Sequence, residues 1–339
     1  MLLIDGIIFN IQKSVGGISI YFDNLLEQYN NLGFNYNLFL YNDSKKIDNV
    51  RIKKLNPRLF ERYRDFVAPN KGGVFHSSYY RSPEDKKLKS IVTVHDFTYE
   101  LYRSGISRGV HSWQKNKSIL GAERVVCISE STRRDLLRHV PGVDERKVSV
   151  IYNAASDDYK FLNNGGKRYE DVVIFVGARG GYKNFESAIL AVSNLKDLRL
   201  GVVGGGNISK KEKHLLDKYL NNRYLIFGSK TNSDLNILYN ECYGLLYPSR
   251  YEGFGIPILE AMKSGCPFVA MRSSSIPEVA GGAGILVEDD NPVILSEAIR
   301  QIGRSEMREK MIRIGFDQAK KFSWKKSASE IICVYEGIL

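Results

Sequence analysis

Short apolar runs alternate with amphipathic helical stretches along this chain, and the alternation occurs twice. In the first half the runs fall at 2–9, 35–41, 73–76, 90–95, 124–128 and 147–152, with helical periodicity over 18–31 and 131–139. In the second half they fall at 172–177, 198–203, 224–227, 244–247, 267–271 and 284–287, with helices near 185–194, 210–219, 233–242, 257–264 and 292–302. Strands that alternate with helices predict parallel sheets covered on both faces. Between the halves lies "NAASDDYKFLNNGGKRYED", residues 153–171, polar and without periodicity, which reads as a linker. The expectation is an α/β protein of two doubly wound domains, 1–165 and 166–322, with a helix over 323–339 that returns to the first. At about 150 residues each, both are long enough for a full core. Sheets of this kind bind ligands beyond the carboxyl ends of their strands, and two that face each other enclose a cleft.

Charge narrows the partners. The net charge is +11, and residues 1–165 hold 25 Lys and Arg against 18 Asp and Glu. Such an excess attracts nucleic acid, an acidic membrane face or phosphorylated ligands. A zinc finger, an aromatic RNA-binding signature and a dense basic tract are all lacking, which argues against nucleic acid. Cys127, Cys242, Cys266 and Cys333 have no metal or redox spacing and read as buried thiols of a reducing compartment. Asp5 interrupts the apolar start and no basic flank precedes it, so the segment reads as a strand and not as an export signal. No apolar run approaches the roughly 20 residues of a membrane span. A soluble cytoplasmic protein is expected.

The most informative segment is "PSRYEGFGIPILEAM", residues 248–262. A strand ends at Tyr247, Glu252 lies on a glycine-rich loop, and Pro257 suits a first helical turn. Amides of Gly253, Phe254, Gly255 and Ile256 would point at whatever precedes the helix, where the dipole favours phosphate. Glu260, about one turn in, can accept two hydrogen bonds from a vicinal diol such as ribose, and Glu252 can hold sugar hydroxyls. Two glutamates alone would suggest only a solvated carboxylate and a helix-dipole partner; the Gly-Phe-Gly and Pro between them argue for a grip on sugar, phosphate and ribose.

Other loops supply complementary chemistry. "FVGARGGYKNFESA" opens the second domain with Arg179 and Lys183, a planar fork and a point charge that suit a diphosphate and its departing charge; an ordinary solvated loop reads the same way. Gly16 and Gly17 precede a helix and fit either close approach to an anion or a plain turn. His95, in "IVTVHDFTYE", ends a strand where it can hydrogen-bond a reacting sugar or be structural, with Asp96 able to orient it. "VEDDN", 288–291 and its neighbour, reads as turn and N-cap chemistry, so no metal is expected. A dinucleotide oxidoreductase would need G-x-G-x-x-G with an acidic residue about 20 positions on; Gly177, Gly180 and Gly181 miss that spacing.

"SRYEGFGIPILEAMKSGCPFVA", with "GGIS", "VHD", "GARGGYKN", "CISESTRRDLL", "VSVIYNA" and "SSSIPEVAGGAG", resembles the family 4 retaining glycosyltransferases, and the resemblance spans nearly the whole chain. It implies the GT-B fold, two facing Rossmann-like domains. It places Gly17 by the donor phosphates, His95 by the donor sugar and attacking hydroxyl, Arg179 and Lys183 on the diphosphate, Glu252 on the transferred sugar, the amides of Phe254, Gly255 and Ile256 by the donor, and Glu260 on the ribose. "FGSKT" resembles the family's base-contacting turn, with Lys230 touching the base through its backbone. The Arg-to-Lys loop "RGGYK" is shorter than the commonest form. "YKN" with "GGIS" is similar to a bacterial subgroup that includes mannosyltransferases of surface polysaccharide synthesis.

The implied activity is metal-independent, retaining hexosyl transfer, with mannose the leading donor sugar, from a GDP- or UDP-linked sugar to a glycan or lipid-linked glycan in O-antigen-like polysaccharide biosynthesis. No cofactor is implied beyond that substrate. A nucleotide-sugar epimerase of the same fold is the alternative, with the oxidoreductase behind it. "LNPRLFERYRDFV", 55–67, reads as a helix capped by Asn56, with Leu59, Phe60, Tyr63 and Phe66 or Val67 on one face and Arg58, Arg62 and Arg64 beside them. It suits either the inner face of an anionic membrane or a core-facing helix.

Overall fold

The computed structural model describes residues 1–12, 16–41, 51–68, 72–163 and 168–338. It divides into two compact units, residues 1–153 with 323–339 and residues 154–322.

The first unit holds a sheet of β1 (Leu2–Asp5), β2 (Tyr36–Tyr41), β3 (Arg51–Leu55), β4 (Val74–Ser77), β5 (Lys89–Val94), β6 (Arg124–Cys127) and β7 (Val148–Val150) in the order β3-β2-β1-β4-β5-β6-β7. Its helices are α1 (Ile7–Gln12), α2 (Gly17–Asn31), α3 (Thr98–Tyr102), α4 (Gly105–Leu120) and α5 (Glu130–His139). The second unit holds β8 (Tyr169–Val176), β9 (Arg199–Val203), β10 (Tyr224–Gly228), β11 (Cys242–Tyr247), β12 (Phe268–Met271) and β13 (Ile285–Val287) in the order β10-β9-β8-β11-β12-β13. Its helices are α6 (Phe185–Ser193), α7 (Lys210–Leu220), α8 (Asn232–Glu241), α9 (Ile256–Lys263), α10 (Ile276–Ala280), α11 (Pro292–Ile302) and α12 (Ser305–Ala319). The last helix, α13 (Trp324–Glu336), belongs to the first unit. Strand pairing in both sheets is parallel. Each sheet starts at a middle strand, builds outward one way and then the other, which is the Rossmann-like order.

Several expectations shift. The boundary expected at 165/166 lies outside the described residues, and the division falls after Asn153. Residues 154–163 join the second unit, where Asn236 Oδ1 accepts from the Lys160 amide at 3.0 Å and Asn240 Oδ1 from that of Leu162 at 2.7 Å. The run 2–9 is not one strand. β1 stops at Asp5; Gly6 then passes so close to β2 that a Cβ would sit 2.8 Å from the Phe39 carbonyl oxygen. The apolar residues that follow bury Ile7, Ile8 and Phe9 from a helix instead. β3, with Lys53 and Lys54 on an edge strand, has no apolar run to betray it. Cys333 is exposed, whereas the other three thiols are buried.

The largest departure is at 55–67, which forms no α-helix. One 3₁₀ turn, Glu61–Tyr63, interrupts extended chain. Two inward-facing residues dictate this. Phe66 is buried against Phe75 and Phe39, with ring centroids 4.8 and 5.1 Å away. Glu61 is drawn to Arg81, whose side chain is wholly buried. Arg81 Nη1 also donates to Asp5 at 3.1 and 3.2 Å and to the Tyr41 hydroxyl at 2.6 Å, and its Nε donates to the Arg64 carbonyl at 2.8 Å. The guanidinium thus ties the ends of β1 and β2, the loop after β4 and the 58–65 turn into one knot. Burial pushes the Asp5 carboxyl up to about 6, with Arg81 opposing.

α13 closes the unit. Tyr335 Oη lies 2.9 Å from the Tyr29 hydroxyl on α2 and 2.6 Å from His76 Nδ1 on β4. Trp324 meets Tyr21 edge-on at 5.8 Å.

Removing Arg81 would strand two buried carboxylates. Arg81→Leu is expected to lower unfolding free energy by about 3–5 kcal/mol, read as a fall in the urea midpoint of the full chain; a change under about 1 kcal/mol would show that the knot does not carry the fold.

Candidate functional site

In the second unit β8 and β11 are neighbours at the point where strand order reverses, so the loops that leave their carboxyl ends lie side by side. The two loops are joined. The Arg250 amide donates to the Tyr182 carbonyl at 2.8 Å. Asp290 accepts from Arg250 Nε at 2.8 Å and from the Asn184 side chain, so the segment after β13 ties both. Lys183 Nζ donates to Glu252 Oε1 at 2.6 Å and lies 3.4 Å from the Tyr247 hydroxyl. This ion pair is mostly shielded from water, so the strong cation and the loop carboxylate expected to serve one ligand stand in direct contact.

The rest of the segment is fixed from behind. The Glu252 amide donates to Ser274 Oγ at 2.7 Å and its carbonyl accepts from Ser275 Oγ at 2.9 Å. Phe254 buries its ring against Phe322, 5.7 Å away and nearly perpendicular, which leaves only its backbone for a ligand. Gly255 is the N-cap of α9 at φ 96°, a left-handed conformation that a β-carbon disfavours. Ile256 and Pro257 open the helix, and Gly253 precedes it. Glu260 faces α8, where the Tyr239 hydroxyl donates to its Oε2 at 3.0 Å. Burial pushes the Glu260 carboxyl up to about 7, against hydrogen bonds from Tyr239 and Tyr159 that favour the charge. Lys230 is exposed beyond the end of β10, next to Thr231, the N-cap of α8.

Arg179 departs from expectation. Its guanidinium is buried and fully engaged: Nε with Glu212 at 2.9 Å, Nη1 with the Gly204 carbonyl at 2.6 Å, and Nη2 with the carbonyls of Gly206 and Asn207 at 3.2 and 2.8 Å. Gly204, Gly205 and Gly206 all have φ between 73° and 77°, and a Cβ on Gly205 would lie 2.4 Å from Arg179 Nη1. The guanidinium holds this turn, and its hydrogen-bond partners are Glu212 and the turn's carbonyls. The carbonyls of Gly204, Gly206 and Asn207 in this left-handed turn need a donor, and Arg179 supplies it.

The first unit has its own cluster. The His95 ring meets Tyr21 edge-on at 4.9 Å, and Tyr21 lies on the helix that Gly16 caps and Gly17 opens. "GGIS" and "VHD" are therefore neighbours in space. Ser19 Oγ accepts from the Gly16 amide at 3.1 Å and donates to its carbonyl at 2.8 Å. The Gln12 amide occupies the place of a Gly16 side chain and would have to swing away to admit one, while Gly17 is open. His95 is buried and its Nε2 has no hydrogen-bond partner. Burial, with Lys115 adding and Asp96 opposing, pushes its pKa down to about 4, so the imidazole is neutral at physiological pH. Asp96 Oδ1 accepts from the Thr98 amide at 2.8 Å, just ahead of α3.

Among the described residues no group of three His, Cys, Asp or Glu side chains could hold a metal ion, and no helix is long and apolar enough to cross a membrane. In "VEDDN", Asn291 caps α11 through the Val293 amide.

Comparison with known proteins agrees with this architecture. The model for Glycosyl transferases group 1 matches residues 160–318 and that for Glycosyltransferase Family 4 matches residues 15–159. The chain belongs to the glycosyltransferases these two models describe, and it has the GT-B type of fold. It is 26% identical to O-antigen chain mannosyltransferase B of Escherichia coli over 87% of this chain and 85% of that protein. It is 27% identical to O-antigen chain mannosyltransferase RfbU of Salmonella typhimurium over 68% and 67%. The sucrose-phosphate synthase of Thermosynechococcus elongatus has a similar fold, with a TM-score of 0.83 at 17% identity over 99% of this chain and 98% of that one.

Sequence reasoning missed the residues that hold the site from behind: Ser274, Ser275, Tyr239, Tyr159, Asp290 and Glu212. One had a legible signal. "SKKE", 209–212, is a capping box, and Ser209 and Glu212 do bond reciprocally.

Glu260 gives a pH test. A carboxyl whose folded pKa is raised from 4.5 to about 7 contributes stability below its unfolded pKa and loses it as pH rises through 7. Glu260→Gln is therefore expected to match wild type in Tm at pH 5 and to exceed it at pH 8.5. Equal differences at both pH values would show that the carboxyl is not held protonated.

Proposed function

We propose that this glycosyltransferase moves a hexose, with mannose the leading candidate, from a nucleotide diphosphate sugar to a glycan or lipid-linked glycan acceptor in cell-surface polysaccharide synthesis. The transfer retains anomeric configuration and uses no metal. The observation that carries this reading is the Lys183–Glu252 ion pair beside the α9 N-terminus, at the switch point of the second sheet. Without a ligand, each charge satisfies the other. A diphosphate sugar supplies both with better partners: Lys183 turns to the phosphates, and Glu252 accepts hydrogen bonds from the transferred sugar. Amides of Gly253, Phe254, Gly255 and Ile256 add donors at the positive end of the dipole, and Glu260 accepts from the ribose hydroxyls. The two O-antigen mannosyltransferase relatives support the donor sugar and the pathway class.

In the reaction, the bond from the sugar's anomeric carbon to the phosphate oxygen breaks while the acceptor oxygen bonds to that carbon on the same face. The acceptor's proton passes to the departing phosphate oxygen. Lys183 offsets the charge that develops there, as a metal would elsewhere. Arg179, expected to share this task, acts instead as a positioning residue for the glycine turn. Neutral His95 serves as a hydrogen-bond partner to the donor sugar, and Gly17 leaves its helix end open to the phosphates. The GDP- or UDP-linked sugar is the only small molecule the reaction requires, and the enzyme works on the cytoplasmic side.

Thermal unfolding with GDP, UDP, dTDP and NAD tests the reading. A nucleoside diphosphate at 100 times its Kd stabilises by about 2.7 kcal/mol, and the shift should survive EDTA and vanish in Lys183→Ala and Glu260→Ala. Lys183→Ala should also lower turnover by about 100- to 1000-fold. A shift with NAD alone, or unaltered binding by both variants, overturns the proposal. Turnover of the donor without any acceptor would favour the epimerase instead.

A further inference from the structure

α4 is built inside out. Its buried face is mostly polar: His111, Gln114, Lys115 and Ser118, with Ile119 the apolar member. Its outer face carries Ile106, Val110 and Trp113, spaced four and three residues apart, with Ile106 86% and Trp113 62% exposed. A soluble helix normally buries the stripe at this spacing. The inversion is anchored. Lys115 Nζ donates to the Asp96 carbonyl at 2.6 Å and to Glu100 at 3.2 Å, and Gln114 donates to the Arg62 carbonyl at 2.7 Å. The polar face cannot rotate outward without breaking these bonds.

That last bond brings in the 3₁₀ turn. Leu59, Phe60 and Tyr63 are exposed, with Phe60 70% so. Phe60 also has φ 57°, a left-handed backbone that a bulky residue rarely adopts. Lys117 Nζ pairs with Asp65 at 2.8 Å and fixes the turn a second time to the same helix. Two segments tied to each other by these bonds thus each hold apolar side chains outward, three on α4 and three on the turn.

We propose that the outer face of α4, together with the turn at Leu59, Phe60 and Tyr63, docks on an anionic lipid bilayer. Charge selects this occupant. Residues 101–121 contain no Asp or Glu, and of their four cations Arg103, Arg108 and Lys117 reach the surface while Lys115 is buried on Glu100. Arg103 and Arg108 are exposed beside the apolar stripe, and Arg58 and Arg64 flank the turn. A second copy of the chain would bring these cations face to face, whereas acidic headgroups neutralise them while the aromatic and aliphatic tips enter the interface. The surface differs from the amphipathic helix expected at 55–67, because α4 supplies most of it. It deepens the proposed function: a lipid-linked acceptor would be met at this surface, and the helix that meets it also holds the loop of His95 and Asp96.

Vesicle co-flotation of the full chain tests this, with phosphatidylcholine alone and with phosphatidylcholine containing one-third phosphatidylglycerol. Binding is expected only to the anionic vesicles, weakened by salt. Arg103→Gln and Arg108→Gln should each cost about fivefold in partitioning, and Ile106→Ser with Trp113→Ser at least about tenfold. Of the two tryptophans, Trp324 is buried, so a blue shift of emission on adding anionic vesicles, lost in Trp113→Phe, reports the docking face directly. The nucleoside diphosphate thermal shift of these variants should equal that of wild type, which separates docking from donor binding. Absence of binding by wild type, equal binding by the double variant, or a dimer in gel filtration that Trp113→Ser converts to monomer each overturns the proposal.

Discussion

A parallel sheet can continue only if the chain returns to the sheet's starting edge after every strand, and that crossover is usually a helix. In both units this constraint puts every loop that follows a strand on the same edge. Where strand order reverses, two such loops leave in opposite directions and open a gap between them. In the second unit, Lys183 leaves β8 on one side of that gap and Glu252 leaves β11 on the other. Their 2.6 Å contact is the direct result of β8 and β11 being neighbours.

The two units use buried charge differently. In the first, Arg81 sits at the reversal point between β1 and β4 and is consumed entirely by Asp5, Tyr41, Glu61 and a carbonyl. A guanidinium satisfied on all sides fixes geometry and has nothing left for a ligand. Arg179 behaves the same way in the second unit, spent on the glycine turn and Glu212. Lys183 and Glu252 are instead paired with each other at the mouth of two loops, and in the proposed function a substrate's phosphate and hydroxyls take over from that pairing. Glu260 and His95 are a third case: burial holds one carboxyl near neutrality and one imidazole uncharged, which suits hydrogen bonding to neutral sugar groups.

Legibility followed chemistry. The strands of the second half were readable because each is an apolar run bordered by Gly or Pro, and β8 to β13 fall within a few residues of those runs. The Glu252-to-Glu260 segment was readable because glycine, proline and two carboxylates at that spacing have few other uses. β3 was hidden by its lysines, and α1 by isoleucines that look like a strand. The 55–67 segment was misread because its period suits a helix, while Phe66 and Glu61 find partners on β4 and Arg81 that no local pattern announces. α4 escaped notice for the converse reason: its apolar stripe faces out.

The sequence by itself determined the βα alternation, the two units and the residue types of the site, since all of these follow from local periodicity and from chemistry confined to single loops. Only the tertiary structure decided how those residues are used. Whether Arg179 faces a ligand or a glycine turn, whether Glu260 is charged, and which side of α4 meets water depend on partners beyond the reach of any local pattern, such as Glu212 for Arg179, Tyr159 for Glu260 and Arg62 for Gln114, and a buried charge takes its partner from whatever the fold brings within about 3 Å.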